Sequence, residues 1–99
     1  MKAWGVQIGQ SAARKLRKLD PQITRELLLY VQGVADSGNP RSKGKPLEGD
    51  MAGLWRYRVR DWRVIVLIED HIITITVIDV GHRSEITENR GQLAARGAW

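Results

Sequence analysis

The sequence contains no cysteine. Disulfides and thiolate metal sites are therefore excluded, and a chain of 99 residues must stabilise itself by packing one modest core. No apolar run approaches the ~18 residues that a membrane span requires. Met1-Lys2 leads straight into alternating residues without the apolar centre of an export signal, so a reducing cytoplasm is the expected compartment. Internal repeats and low-complexity blocks are also lacking. Acidic residues are in the minority, 11 Asp plus Glu against 16 Lys plus Arg, which gives a net charge of +5 and an isoelectric point near 10.1.

The positive charge is unevenly placed. Residues 1–20 carry five basic side chains and one acidic, and residues 41–63 carry seven and three; the rest of the chain is net negative. Such concentration suits a polyanion-binding surface, with nucleic acid the leading partner class. The densest stretch is Leu54 to Arg63. Trp55, Tyr57 and Val59 fall on one face of an extended strand and Arg56, Arg58 and Arg60 on the other, with Arg63 just past a turn. One face can anchor in a core while the other meets phosphate. The same pattern also fits a solvated strand face whose arginines pair with nearby acids. Trp55 and Tyr57 could stack on bases, but the alternation assigns them to the core.

Trp4, Val6 and Ile8 alternate as a short first strand ending at Gly9. From Ser11 the period lengthens: Ala12, Leu16 and Leu19 form the apolar stripe of a short helix, and Arg14, Lys15, Arg17 and Lys18 occupy the rest of its surface. Asp20-Pro21 restarts the chain as N-cap and first helical residue. A second helix with Ile23, Leu27, Leu28, Val31 and Val34 inward should stop near Ser37-Gly38-Asn39-Pro40. Arg41 to Gly53 reads as a long irregular loop. Three strands follow, Leu54 to Arg60, Trp62 to Glu69 and Ile72 to Val80, with turns at Asp61 and Asp70-His71. The order β-α-α-β-β-β implies an α+β fold, an antiparallel sheet packed against an N-terminal helical hairpin, over residues 1–88. Residues 89–99 read as a weak helix or mobile tail.

Four separated pieces, Gly44-Lys45-Pro46-Leu47-Glu48-Gly49, Leu54-Trp55-Arg56-Tyr57-Arg58-Val59, Asp61-Trp62-Arg63-Val64-Ile65 and Val80-Gly81-His82-Arg83, resemble the RelE/ParE superfamily of bacterial toxins. The resemblance runs from about Trp4 to Thr87 and is nearer to the RelE branch, whose members cleave messenger RNA in the ribosomal A site, than to the ParE branch, which inhibits DNA gyrase. It implies a metal-independent endoribonuclease of a toxin-antitoxin system with no cofactor, whose partners are messenger RNA, the ribosome and a cognate antitoxin. The family's basic active-site positions fall on Arg56, Arg58, Arg63 and Arg83. Arg56 and Arg58 stand where relatives often carry lysine, and Thr87 where many carry tyrosine.

Cleavage without a metal uses the RNA 2′-hydroxyl as nucleophile. Guanidinium groups suit neutralisation of the phosphorane, because their planar fork matches its oxygens and stays charged. They do not suit proton abstraction, since an arginine is almost never neutral. His82, Glu85, Lys43 and Lys45 are the remaining candidates for that step, with His82 first on chemistry; it could instead be a structural histidine closing the last strand. Lys43, Lys45, Arg60, Arg14 and Lys18 are candidate RNA contacts, the helical pair equally explicable as a solvated face. Asp79 is expected to pair with the arginines.

Overall fold

The computed structural model describes residues 3–85, so the expected tail at 89–99 and the Thr87 position lie outside the described residues. The elements are β1 (Gly5–Ile8), α1 (Gln10–Lys18), α2 (Pro21–Asp36), β2 (Lys45–Pro46), β3 (Trp55–Val59), β4 (Trp62–Glu69) and β5 (Thr74–His82). They form an α+β fold whose five-stranded sheet has the order β1-β5-β4-β3-β2.

Local chemistry accounts for the helical hairpin. Asp20 caps α2 by accepting the Gln22 N–H at 2.8 Å, and Pro21 takes the first turn, where no donor is needed. The helix ends at Ser37, and Gly38 follows with φ +79°. The Thr24 hydroxyl donates to the Leu16 carbonyl at 2.7 Å, tying α2 to α1. Leu27, Val31 and Val34 of α2 and Ala12 and Leu16 of α1 are buried against Tyr57, Val64, Val66, Ile75 and Val77 of the sheet. Each such large side chain contributes roughly 1.5–3 kcal/mol by leaving water.

Three expectations change. The sheet is not wholly antiparallel, because β1 pairs parallel with β5, Val6 opposite Ile75 and Ile8 opposite Val77. The loop after α2 is more ordered than its glycines imply: Lys45–Pro46 pairs with β3 as a short edge strand, and Gly49–Met51 forms a single 3-10 turn. The last strand begins at Thr74 and runs through His82, since Asp70–Ile72 is itself a 3-10 turn and Ile73 has the left-handed backbone of its cap.

A smaller core lies on the other side of the sheet, where Leu47, Met51 and the half-buried Leu54 cover Ile65. The loop that supplies it is fixed at its entry. The Tyr57 hydroxyl donates to the Pro40 carbonyl at 2.6 Å, Trp55 Nε1 donates to the Lys43 carbonyl at 2.7 Å, and Arg41 makes a two-pronged ion pair with Asp70, both contacts 2.9 Å. That pair holds the Asp70 carboxyl below the usual carboxylate range, chiefly through its hydrogen bond from Arg41. Gly44 runs so close to β3 that a Cβ would lie 2.2 Å from the Arg56 carbonyl oxygen.

Candidate nucleic-acid interface

Register places the arginines. Tyr57 and Val59 point into the helix-side core, so Arg56 and Arg58 point to the opposite face. Residues directly opposite one another in a ladder share a face. Lys45 is opposite Arg56, Arg56 opposite Ile65, and Ile65 opposite Asp79, which makes one row across the sheet. Arg58 opposite Arg63 and Arg63 opposite Gly81 make the next. Gly81, itself buried, presents no side chain beside Arg63.

Exposure varies within each row. Arg56 is 6% exposed and shares its row with Ile65 beneath the 47–54 loop, whereas Arg58 is exposed. Arg63 is 9% exposed; its Nη1 donates to the Arg60 and Trp62 carbonyls at 3.1 and 3.0 Å. Arg83 meets the same turn from the other strand, its N–H donating to the Asp61 carbonyl at 2.7 Å and its Nε lying 3.8 Å from the Asp61 carboxylate. Arg58, Arg63 and Arg83 are thus gathered at the β3–β4 turn, with Arg56 and Lys45 one row inward. Lys43 is exposed on the approach to β2.

Other candidates stand apart from this group. Arg60 does not continue the alternation of β3: it occupies the two-residue turn with φ +58° and pairs with Glu26 of α2, Nε to Oε2 2.7 Å, on the helix side. Arg14 and Lys18 are exposed on α1, whose Ala12 and Leu16 pack into the helix-side core while its Lys15 reaches Asp79. Asp79 is not a partner of the arginines. It accepts from Lys15 Nζ at 2.6 Å and from the Val80 N–H at 2.9 Å.

His82 is opposite Trp62 in the ladder and packs on it edge to face, ring centroids 5.5 Å apart. It therefore shares the face of Trp62 and not that of Arg63. Its Nδ1 lies 2.8 Å from the Ser84 hydroxyl and accepts the Ser84 N–H at 3.2 Å. Glu85 closes the same turn, its N–H donating to the His82 carbonyl at 2.8 Å and its Oε1 accepting the His82 N–H at 3.2 Å.

Sequence reasoning missed the Lys15–Asp79 contact, which joins residues 64 positions apart, and the close approach of Gly44. A glycine between two lysines in a basic loop was the available sign of the second; nothing in the pattern pointed to the first.

The comparisons agree with this fold. Residues 6–87 match the family model described as ParE toxin of type II toxin-antitoxin system, parDE. Toxin RelE of Mycobacterium tuberculosis is 35% identical over 79 residues, 80% of each chain, and Toxin RelG of the same organism is 32% identical over 81 residues, 82% of this chain and 92% of that one. The crystal structure of the M. tuberculosis toxin-antitoxin complex RelBE2 superposes with a TM-score of 0.77 at 29% identity, covering 85% of this chain and 95% of that one. The isolated Escherichia coli RelE toxin, at 23% identity, shares the fold with a TM-score of 0.69 over 95% of this chain and 98% of its own. With the order of its elements, its basic sheet face and these matches all in accord, the chain belongs to the RelE/ParE superfamily as a RelE-like toxin of a type II toxin-antitoxin system.

Proposed function

We propose that this toxin is a metal-independent endoribonuclease that cleaves messenger RNA in the ribosomal A site and so stops translation. The observation that carries the reading is the convergence of Arg58, Arg63 and Arg83 at one turn. A phosphodiester seated there would have guanidinium donors on more than one side. In the reaction the 2′-hydroxyl loses its proton, the O2′–P bond forms, and the P–O5′ bond breaks with its electron pair passing to the 5′ oxygen, which is protonated. The product is a 2′,3′-cyclic phosphate. Arg58 and Arg83 stabilise the phosphorane charge, Arg63 holds the turn that presents them, and Lys45 binds the adjoining backbone, while Arg56 stays buried beneath the 47–54 loop.

The arginines leave proton abstraction to another group, and His82 faces away from them. Positioning therefore carries much of the catalysis: the ribosome splays the message into line for attack, and isolated protein cuts free RNA poorly. By likeness to the M. tuberculosis complex, the protein pairs with its own antitoxin, whose acidic groups complement the basic face.

A second reading, non-nucleolytic inhibition of DNA gyrase, is favoured by the ParE description of the matching family model. The RelE and RelG names of the two curated relatives favour the first. Pure protein is tested on a naked transcript, on programmed ribosomes and in a gyrase supercoiling reaction. The proposal expects cuts at A-site codons on ribosomes alone; inhibition of supercoiling without cleavage overturns it.

A further inference from the structure

The Lys15–Asp79 contact links the helical layer to the strand that carries Gly81 and leads to Arg83. β1 accompanies β5 only from Thr74 to Val77, and the chain leaves the sheet at once, the Gly9 N–H donating to the Val77 carbonyl at 2.8 Å before α1 begins. Directly after that point the pairing of β4 and β5 slips. Val66 is opposite Val77 but Ile65 is opposite Asp79, so Ile78 is an extra residue that bends the strand. A bulge gives the following residues a new direction, and that direction needs a constraint.

Lys15 supplies one. Its ammonium, on a helix whose Ala12 and Leu16 are locked in the core, reaches the carboxylate of the first residue after the bulge. The Asp79 side chain is 10% exposed against 52% for Lys15, so the carboxylate is held in a mostly dry setting with its charge matched. Two residues further on is Gly81, opposite Arg63, and two beyond that is Arg83, against Asp61.

We infer that the Lys15–Asp79 ion pair is a positioning device for the basic site: by pinning α1 to β5 just after the bulge, it sets where Gly81 and Arg83 lie relative to Arg58 and Arg63. Lys15 and Asp79 act through the strand and touch no RNA. The inference rests on the nuclease reading for its catalytic consequence and on the fold alone for its structural one.

The test uses full-length protein with Lys15→Arg, Lys15→Met and the double variant Lys15→Met/Asp79→Asn, which removes both charges and leaves no orphaned carboxylate. Amide exchange is followed at Val80 to Arg83 and at Leu27 and Val31, alongside single-turnover cleavage on programmed ribosomes. In the double variant, exchange at Val80 to Arg83 should rise at least tenfold while Leu27 and Val31 are unchanged. Its maximal cleavage rate should fall at least tenfold with half-saturation within twofold, and Lys15→Arg should stay within threefold of wild type. Unchanged exchange at Val80 to Arg83, exchange raised equally throughout the core, or a cleavage rate unaffected by local loosening would each overturn the inference. Should wild-type protein fail to cut ribosome-bound message, the nuclease reading fails instead, and the exchange results alone decide whether the pair pins β5.

Discussion

The Tyr57 hydroxyl, with its side chain wholly buried, donates to the Pro40 carbonyl 17 residues earlier at 2.6 Å. This bond fastens the start of the lysine-bearing loop to the strand that carries Arg56 and Arg58. Removing the hydroxyl with Tyr57→Phe leaves a buried carbonyl unsatisfied and should cost about 1–3 kcal/mol in urea unfolding. The variant should also bind RNA less tightly, because the entry to Lys43 and Lys45 loosens. Unchanged stability would mean that the loop is held by other contacts.

The same residue sets an alkaline limit. Burial, reinforced by the neighbouring Tyr30 phenol and opposed by Arg41, pushes the Tyr57 hydroxyl up to about 12 from an ordinary value of 10.0. The neutral form is favoured in the folded state, so this contribution is fully present below pH 10 and is lost as pH rises from about 10 towards 12, by roughly 2–3 kcal/mol in all. Unfolding curves across that window should show the loss in wild type and a smaller one in Tyr57→Phe.

Gly44 should not accept a side chain. Its φ of +79° carries a left-handed penalty for any other residue, and a Cβ would overlap the Arg56 carbonyl oxygen. Gly44→Ala should lose at least about 2 kcal/mol by the same measurement. A near-neutral result would show that the loop shifts off β3 without cost.

Arg60 should behave in the opposite way. It is a non-glycine residue at φ +58° whose side chain is 77% exposed, and its pair with Glu26 is screened by water. Arg60→Gly relieves a backbone cost of roughly 1–2 kcal/mol against the loss of an ion pair of less than about 1 kcal/mol. Thermal unfolding should therefore find the variant at least as stable as wild type. A clear drop would identify the Glu26 contact as a stronger brace than its exposure implies.

Much of this architecture was legible in the residues. Asp20-Pro21 and Ser37-Gly38 bound α2 because capping is a local matter, decided within a few residues. The alternation of Trp55 to Val59 assigned Tyr57 to the core and Arg56 and Arg58 to the other face for the same reason. What escaped was non-local or conformational. The parallel pairing of β1 with β5 joins segments about 70 residues apart, and no period in either strand specifies its partner. Arg60 left the arginine face because a turn residue with left-handed backbone breaks the two-residue repeat. His82 follows Gly81 in sequence, beside the site, yet strand alternation turns it to the far face against Trp62.

The central claim, that the arginines at the β3–β4 turn act on a phosphodiester, is tested most directly by expressing wild type, Arg58→Ala and Arg83→Ala in growing bacteria while mapping transcript ends. Both side chains are largely exposed, so each substitution should change stability by no more than about 0.5 kcal/mol. Loss of one charge-stabilising donor should slow cleavage by roughly 100-fold or more. The account predicts growth arrest with cuts at codon boundaries for wild type, and relief of both in the folded variants; arrest by all three proteins with intact transcripts would contradict it.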